Sequence, residues 1–388
     1  MQALIVEAEW DPRPGFELSE EELASRCPRD ASKAWRFPRF TLGERPDPEI
    51  SAPDQVVVAV AAAGVAFSHT KICRTDGDGY VLLPYRLRLP VIPGHEVAGE
   101  VVEVGPAVRS LRPGDPVAVE TMEPCGICEA CRRSLPNLCT NLGFRGFGAD
   151  GGIAELMVTR EAQARSLVAL RERFGEERAY EIGSLCEPAA VAYVGLFQRA
   201  GGLQPGATVG VFGCGPIGLA SIALAVAAGA GRVIAFDPVG ERCEMARRLG
   251  ADSVIELGEL EALGKSAATL ALELTGGRGL DVAVEAAGDA ATVLPVIESS
   301  LAFGGKLVQI GVEGGAVAVK PLALQMRAGT IYGSMGHIGG FDPVISLHLA
   351  GRIDLSPVVS TRYKLSEASA ALKRAESRID PKIVVLPG

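Results

Sequence analysis

The sequence predicts an α/β protein with two domains, one a doubly wound parallel sheet and the other rich in β-strands. Three observations predict it. The chain has 388 residues, and domains of roughly 100–200 residues make two the natural number. Before residue 190 the signals are short β runs at 3–6, 56–60, 97–104 and 117–119, separated by Gly and Pro. From Ala207 the pattern becomes strand, glycine turn and helix, repeated: strands at 208–212, 232–236, 281–284 and 306–310, with helices starting at Pro216 and Glu241. The expected domains are residues 1–190, 191–338 and a return to the first domain over 339–388, with Glu187-Pro188 at the first crossing. The stretch 11–39, rich in Pro and charge, reads as an insertion between two early strands.

Composition narrows the function classes. The net charge is −9 with no Lys/Arg block, so the electrostatic footprint of a nucleic-acid or anionic-membrane partner is missing. The first ten residues carry Glu7 and Glu9 and no basic residue, unlike a secretory signal. The longest apolar run, 217–230, is too short to cross a bilayer. A cytoplasmic protein with no membrane span is expected. In that compartment nine cysteines point to metal binding or chemistry more than to disulfides.

Chemistry is concentrated at two places. The apolar strand 209–212 runs into Gly213-Cys214-Gly215-Pro216-Ile217-Gly218, which fits GxGxxG, and an apolar helix follows at once. Gly213 permits the tight turn, Gly215 lets backbone approach a pyrophosphate, Gly218 allows helix and strand to pack closely, and the helix N-terminus favours phosphate. Asp237 ends the second strand about 20 residues on, where a carboxylate accepts hydrogen bonds from an adenosine ribose. Its charge repels an extra 2′-phosphate, favouring NAD, while the nearby Arg242 leaves NADP open. A ligand site is expected at the carboxyl ends of the parallel strands, in a cleft between the domains. The second place is Cys125-Gly-Ile-Cys128-Glu-Ala-Cys131, completed by Cys139. Four thiolates so spaced wrap one zinc tetrahedrally and leave no position for substrate, which makes the lobe at 120–142 a structural zinc site.

With Gly94-His95-Glu96, Glu187-Pro188 and the run DVAVEAAG at 281–288, these motifs make the chain resemble the zinc-containing medium-chain dehydrogenase/reductase superfamily along nearly its whole length. The resemblance implies a Rossmann domain, a GroES-like catalytic domain and a homodimer or homotetramer. Residues 10–14, Trp35-Arg36, 75–80 and Ser334-Met335-Gly336-His337 are similar to the cyclitol oxidoreductases of that superfamily, the group that includes scyllo-inosose 3-dehydrogenase. This implies NAD(P)-dependent hydride transfer to or from a cyclitol or related polyol. The family's catalytic zinc would take a cysteine from a GxCxSD-like motif, the GHE histidine, and a glutamate from GHE or EP. Here that stretch reads Gly64-Val65-Ala66-Phe67-Ser68-His69. The ligand cysteine is Ala66, and the acid after the serine is His69. His95, Glu96 and Glu187 remain, a set without the soft thiolate, so a second, catalytic zinc is expected to be weakly held or absent. His69, Cys73 and Cys186 are the neighbours that could replace the sulfur, with small buried hydrophobes the plainer reading of the two cysteines.

Two mechanisms stay open. In one, a dehydrogenase or ketoreductase stabilises the substrate oxyanion with donors drawn from Ser68, His69, His95 and His337, with Glu96 and Glu187 also in the site. In the other, a metal-free enone reductase delivers hydride to the β-carbon of an unsaturated cyclitol ketone. A third reading, a non-catalytic nucleotide-binding protein, is disfavoured by the retention of Ser68, His95 and Glu187.

Overall fold

The computed structural model describes every residue except 263, 313 and 314. Two compact units emerge. The first comprises Met1–Glu187, Val359–Arg378 and Lys382–Gly388, and the second Pro188–Val358 with Ile379–Pro381.

The first unit is β-rich. Its larger sheet orders the strands Thr361–Lys364, Ile383–Leu386, Gln55–Gly64, Glu96–Val104, Pro116–Glu120 and Ala164–Ser166, with Leu156–Arg160 also pairing Gln55–Gly64. Valines at alternate positions, including Val58, Val60, Val97, Val101, Val117 and Val119, are buried in one cluster with Leu365, Leu372 and Val385. Strand register decides which residues meet at the end of this sheet. Gly64 lies opposite Glu96 on one side and Val384 on the other, so the last strand of the chain begins level with the start of the GHE strand, across Gly64.

A separate antiparallel pair joins Gln2–Trp10 to Trp35–Glu44, so the inserted segment ends at residue 34. The expected boundary of 39 is corrected because β pairing begins at Trp35, opposite Trp10. Inside the insertion, Ser19 caps the short helix Glu20–Ser25 in a reciprocal capping box with Glu22, and Glu22 also pairs with Arg29 at 3.0 Å. Trp35 anchors the segment. It is buried, its indole N–H donates to Leu87 O at 2.9 Å, and its ring meets Trp10 edge-on at 4.9 Å.

The second unit is a six-stranded parallel sheet. Spatially the order is Ser253–Glu256, Arg232–Asp237, Thr208–Phe212, Leu280–Glu285, Leu301–Gln309 and Thr330–Gly333. In chain order this is 3-2-1-4-5-6, which reverses direction between Thr208–Phe212 and Leu280–Glu285 and opens a crevice at their carboxyl ends. The central strand Thr208–Phe212 is buried throughout, as a strand covered on both faces must be.

The second crossing differs from the expected one. Residues 339–358 stay with the parallel-sheet unit, and the chain returns at Val359. Packing explains this: Gln198 Nε2 donates to Gly339 O at 3.0 Å, and Gly340 lies so close to Ala190 that a Cβ would sit 2.7 Å from the alanine Cβ. The helix Phe341–Leu349 in that segment buries Phe341, Val344 and Ile345.

Replacing Trp35 with alanine should cost about 3–5 kcal/mol through the cavity and the lost indole bond. Urea unfolding, with limited proteolysis of 11–34, measures this; a variant as stable and resistant as wild type would show that the insertion is not anchored there.

Candidate active site

The glycine turn is built on close approaches. Gly213 has φ +93°, and a Cβ there would lie 2.6 Å from Ala287 N; one on Gly218 would run into Gly213 O. Gly215 caps the helix Pro216–Ala227, with Pro216 in its first turn and Ile217 next. Beside Gly215 the space is open: a Cβ would have only Arg242 Nη1 nearby, at 3.9 Å. Two carboxylates hold this end of the sheet. Asp237, buried, accepts the Cys214 N–H at 2.6 Å and the Val239 N–H at 2.9 Å, leaving further lone pairs. Glu285 accepts the N–H groups of Ala287 and Gly288 at 3.0 and 2.8 Å through one oxygen, and Gln309 Nε2 at 2.7 Å through the other. Burial pushes the Glu285 carboxyl up, with those N–H bonds opposing it. Arg242 is half-buried beside the turn; burial lowers its pKa, and the charge of Asp237 works against that shift.

The four lobe cysteines bring their sulfurs within 4.8 Å of one another. Backbone N–H groups of Ile127 and Cys128 lower the pKa of Cys125, and those of Cys131 and Thr140 bring Cys128 to about 5. Cys131 moves the other way, to about 12, through burial and then the adjacent Cys128. Four thiolates this close repel one another unless a cation lies between them. The donor set fits zinc, and Cys125, Cys128, Cys131 and Cys139 would hold it.

Around Ala66 the groups expected to remain are assembled, while His69, a possible substitute for the sulfur, faces backbone amides. His95, Glu96 and Glu187 do come together, each buried, with one ligand atom apiece within 4.8 Å of the others. Gly94, at φ +111° and 2.7 Å from Ile153 N by its hypothetical Cβ, sets the bend that delivers His95. Ala66 is the N-cap of the helix Phe67–Cys73 and presents only a methyl group. His69 is fully buried. Its Nδ1 faces the Ala66 N–H and its Nε2 the Gly94 N–H, both at 3.2 Å, and its ring meets that of His95 at 4.6 Å. A neutral imidazole has one lone pair, and whichever tautomer forms, a backbone N–H sits on it. Burial, then the charge of Lys382, press the His69 pKa to about 3.

Among the described residues no sulfur takes the place of the missing thiolate. Cys73 Sγ donates to His69 O at 3.3 Å, and Cys186 Sγ to Ile182 O at 3.4 Å. Glu96 is already paired: Lys382, buried with it, contacts its Oε2. With no sulfur, and with Glu96 paired to Lys382, the donor set near Ala66 is a poorer match to zinc than the four thiolates of the lobe. Ser68 is half-buried on the first turn of the helix, and His337 lies in the second unit, buried, with its ring 5.6 Å from that of Phe341. Glu285 and Lys382 are the two residues that the sequence motifs did not single out. The first lay inside the DVAVEAAG run, and the second was a solitary lysine opening a terminal apolar strand.

Comparison with known proteins agrees with the architecture. Residues 52–170 match the alcohol dehydrogenase GroES-like domain and residues 216–347 the zinc-binding dehydrogenase family. The chain is 36% identical to scyllo-inosose 3-dehydrogenase of Thermotoga maritima, over 97% of each protein. It is 32% identical to sorbitol dehydrogenase of Bacillus subtilis, over 85% of this chain and 88% of that one. A solved Thermotoga maritima structure superposes with a TM-score of 0.94 at 33% identity, over the full length of both chains. A Sinorhizobium meliloti 1021 structure of the zinc-binding dehydrogenase kind, bound to NADP, gives 0.77 at 25% identity, covering 99% of this chain and all of that one.

The geometry predicts two outcomes. Cys128→Ser should lower the zinc content by about one equivalent per chain and Tm by roughly 5–10 °C, read by elemental analysis and thermal melts; an unchanged melt would remove the lobe's structural role. His69 remains neutral in the fold down to about pH 3, against an ordinary 6.5, whereas the unfolded chain takes up the proton below about 6.5. Its contribution is full above that pH and declines as pH falls toward 3, by about 2 kcal/mol at pH 5. His69→Gln should flatten the pH dependence of urea unfolding between pH 7.5 and 5 by that amount; an unaltered slope would contradict the burial argument.

Proposed function

As the chain belongs to the zinc-containing medium-chain dehydrogenase/reductase superfamily, among NAD(P)-dependent polyol and cyclitol dehydrogenases, we propose that it transfers hydride between a nicotinamide cofactor and a cyclitol or its ketone. The full-length similarity to scyllo-inosose 3-dehydrogenase carries this reading.

When bound, the nicotinamide cofactor carries the hydride. Gly213, Gly215, Pro216, Ile217 and Gly218 form the turn that would admit its pyrophosphate, where the helix N-terminus would favour the phosphate charge. Asp237 would accept hydrogen bonds from the adenosine ribose through the lone pairs that its two backbone N–H partners leave over. NAD is the cofactor this favours, while Arg242 beside the turn makes room for NADP. At the reacting end, His95 and Ser68 stand as donors to the substrate oxygen, and Glu187 as the carboxylate that orients a hydroxyl or takes its proton. No step runs through a metal, because Ala66 offers no sulfur and Lys382 holds Glu96.

That same chemistry favours a second reading. An unsaturated cyclitol ketone accepts hydride at its β-carbon, the charge delocalises into an enolate, and a donor then protonates it. Such a substrate asks less of the site than a simple ketone, which needs its full oxyanion charge stabilised. Turnover of NADH with a cyclitol ketone against a cyclitol enone separates the two. Faster reaction with the ketone supports the dehydrogenase, a preference for the enone supports the second reading, and no turnover with either would overturn both.

Asp237→Ala should weaken NADH binding by about tenfold or more, through loss of a charge-assisted hydrogen bond, and narrow the preference over NADPH. Fluorescence titration with both cofactors tests it. A wild-type protein that strongly prefers NADPH would show that Arg242 outweighs Asp237.

A further inference from the structure

The Lys382–Glu96 pair lies in a pocket that the family otherwise equips with a metal. Both side chains are almost wholly excluded from water, at 1% and 3% exposure. Lys382 Nζ also donates to Val65 O at 3.2 Å, so its ammonium is tied to the residue before Ala66. Strand register builds this contact: Val65 N donates to Ile383 O, and Gly64 stands opposite both Glu96 and Val384. A Cβ on Gly64 would collide with Glu96 Oε2 and lie 2.9 Å from Lys382 Cε, so glycine there makes room for the pair.

We propose that Lys382 is a positioning residue that keeps Glu96 from serving as a metal ligand, its ammonium supplying inside the pocket the positive charge that a divalent cation would otherwise bring. The inference rests on the metal-free reading above and says what enforces it. With sulfur replaced by the Ala66 methyl and the His69 nitrogens facing backbone N–H groups, Glu96 is the group that could complete a set with His95 and Glu187. Three N/O ligands and a water suffice for zinc. An ammonium on the carboxylate competes directly for that role, because the ion must displace a buried, hydrogen-bonded cation before it can bind.

The test uses the full-length protein with its lobe zinc in place, titrated with Zn2+ and with Co2+, whose visible d–d absorption reports coordination. Lys382→Met should bind a further equivalent at least tenfold more tightly than wild type, with a new Co2+ spectrum. Lys382→Arg, which keeps a cation, should behave as wild type, and adding Glu96→Gln to Lys382→Met should abolish the gain. A folded Lys382→Met with no gain, or a gain that survives Glu96→Gln, overturns the inference. If Lys382→Met does not fold, Ala66→Cys with and without Glu96→Gln decides. Equal metal affinity in the two supports a Glu96 withheld by Lys382, and a tenfold loss with Glu96→Gln refutes it. A wild-type chain that keeps two zincs through chelation overturns the metal-free reading itself, an outcome separable from a wild type with one zinc and an unresponsive Lys382→Met.

Discussion

A carboxylate removed from water must be given a cation or a proton, since burying it alone costs several kcal/mol. Glu96 and Glu187 are both buried beside His95, and the architecture of the pocket depends on how that charge is balanced. For Glu96 the balance comes from within the chain. Lys382 reaches Glu96 from 286 residues away, from just before a strand whose Val384 pairs with Gly64. The ammonium's field also extends to His69 and helps keep that ring neutral.

The chain thus treats its two candidate zinc positions in opposite ways. At the lobe, four sulfurs converge and backbone N–H groups favour the thiolate at Cys125 and Cys128, an arrangement with little purpose other than holding a metal. At the pocket the sulfur is gone, the nitrogens of His69 face backbone amides, and one carboxylate is spoken for. The nucleotide end is organised independently, by Asp237 and Glu285 accepting N–H groups from the turns around the crevice.

Much of this was legible in the sequence, and the reason is locality. GxGxxG, the cysteine spacing and the GHE triplet each lie within a few residues, so spacing alone reveals their geometry. Ala66 was legible for the same reason, as a gap in a local pattern. Lys382 was not, because its significance depends on strand register between segments far apart in the chain. The second domain crossing was misplaced for a related reason: residues 339–358 are assigned by packing against Ala190 and Gln198, which no local pattern announces. His69 looked like a possible ligand, and only the positions of the Ala66 and Gly94 amides withdraw it.

In the proposed reaction, hydride transfer proceeds without a metal at the reacting carbon. Zinc content and NADH turnover measured on one and the same exhaustively chelated sample test it most directly. About one zinc per chain, retained by the lobe, is expected, with turnover undiminished and unresponsive to added zinc. Turnover that is lost on chelation and restored as a second zinc binds would contradict it.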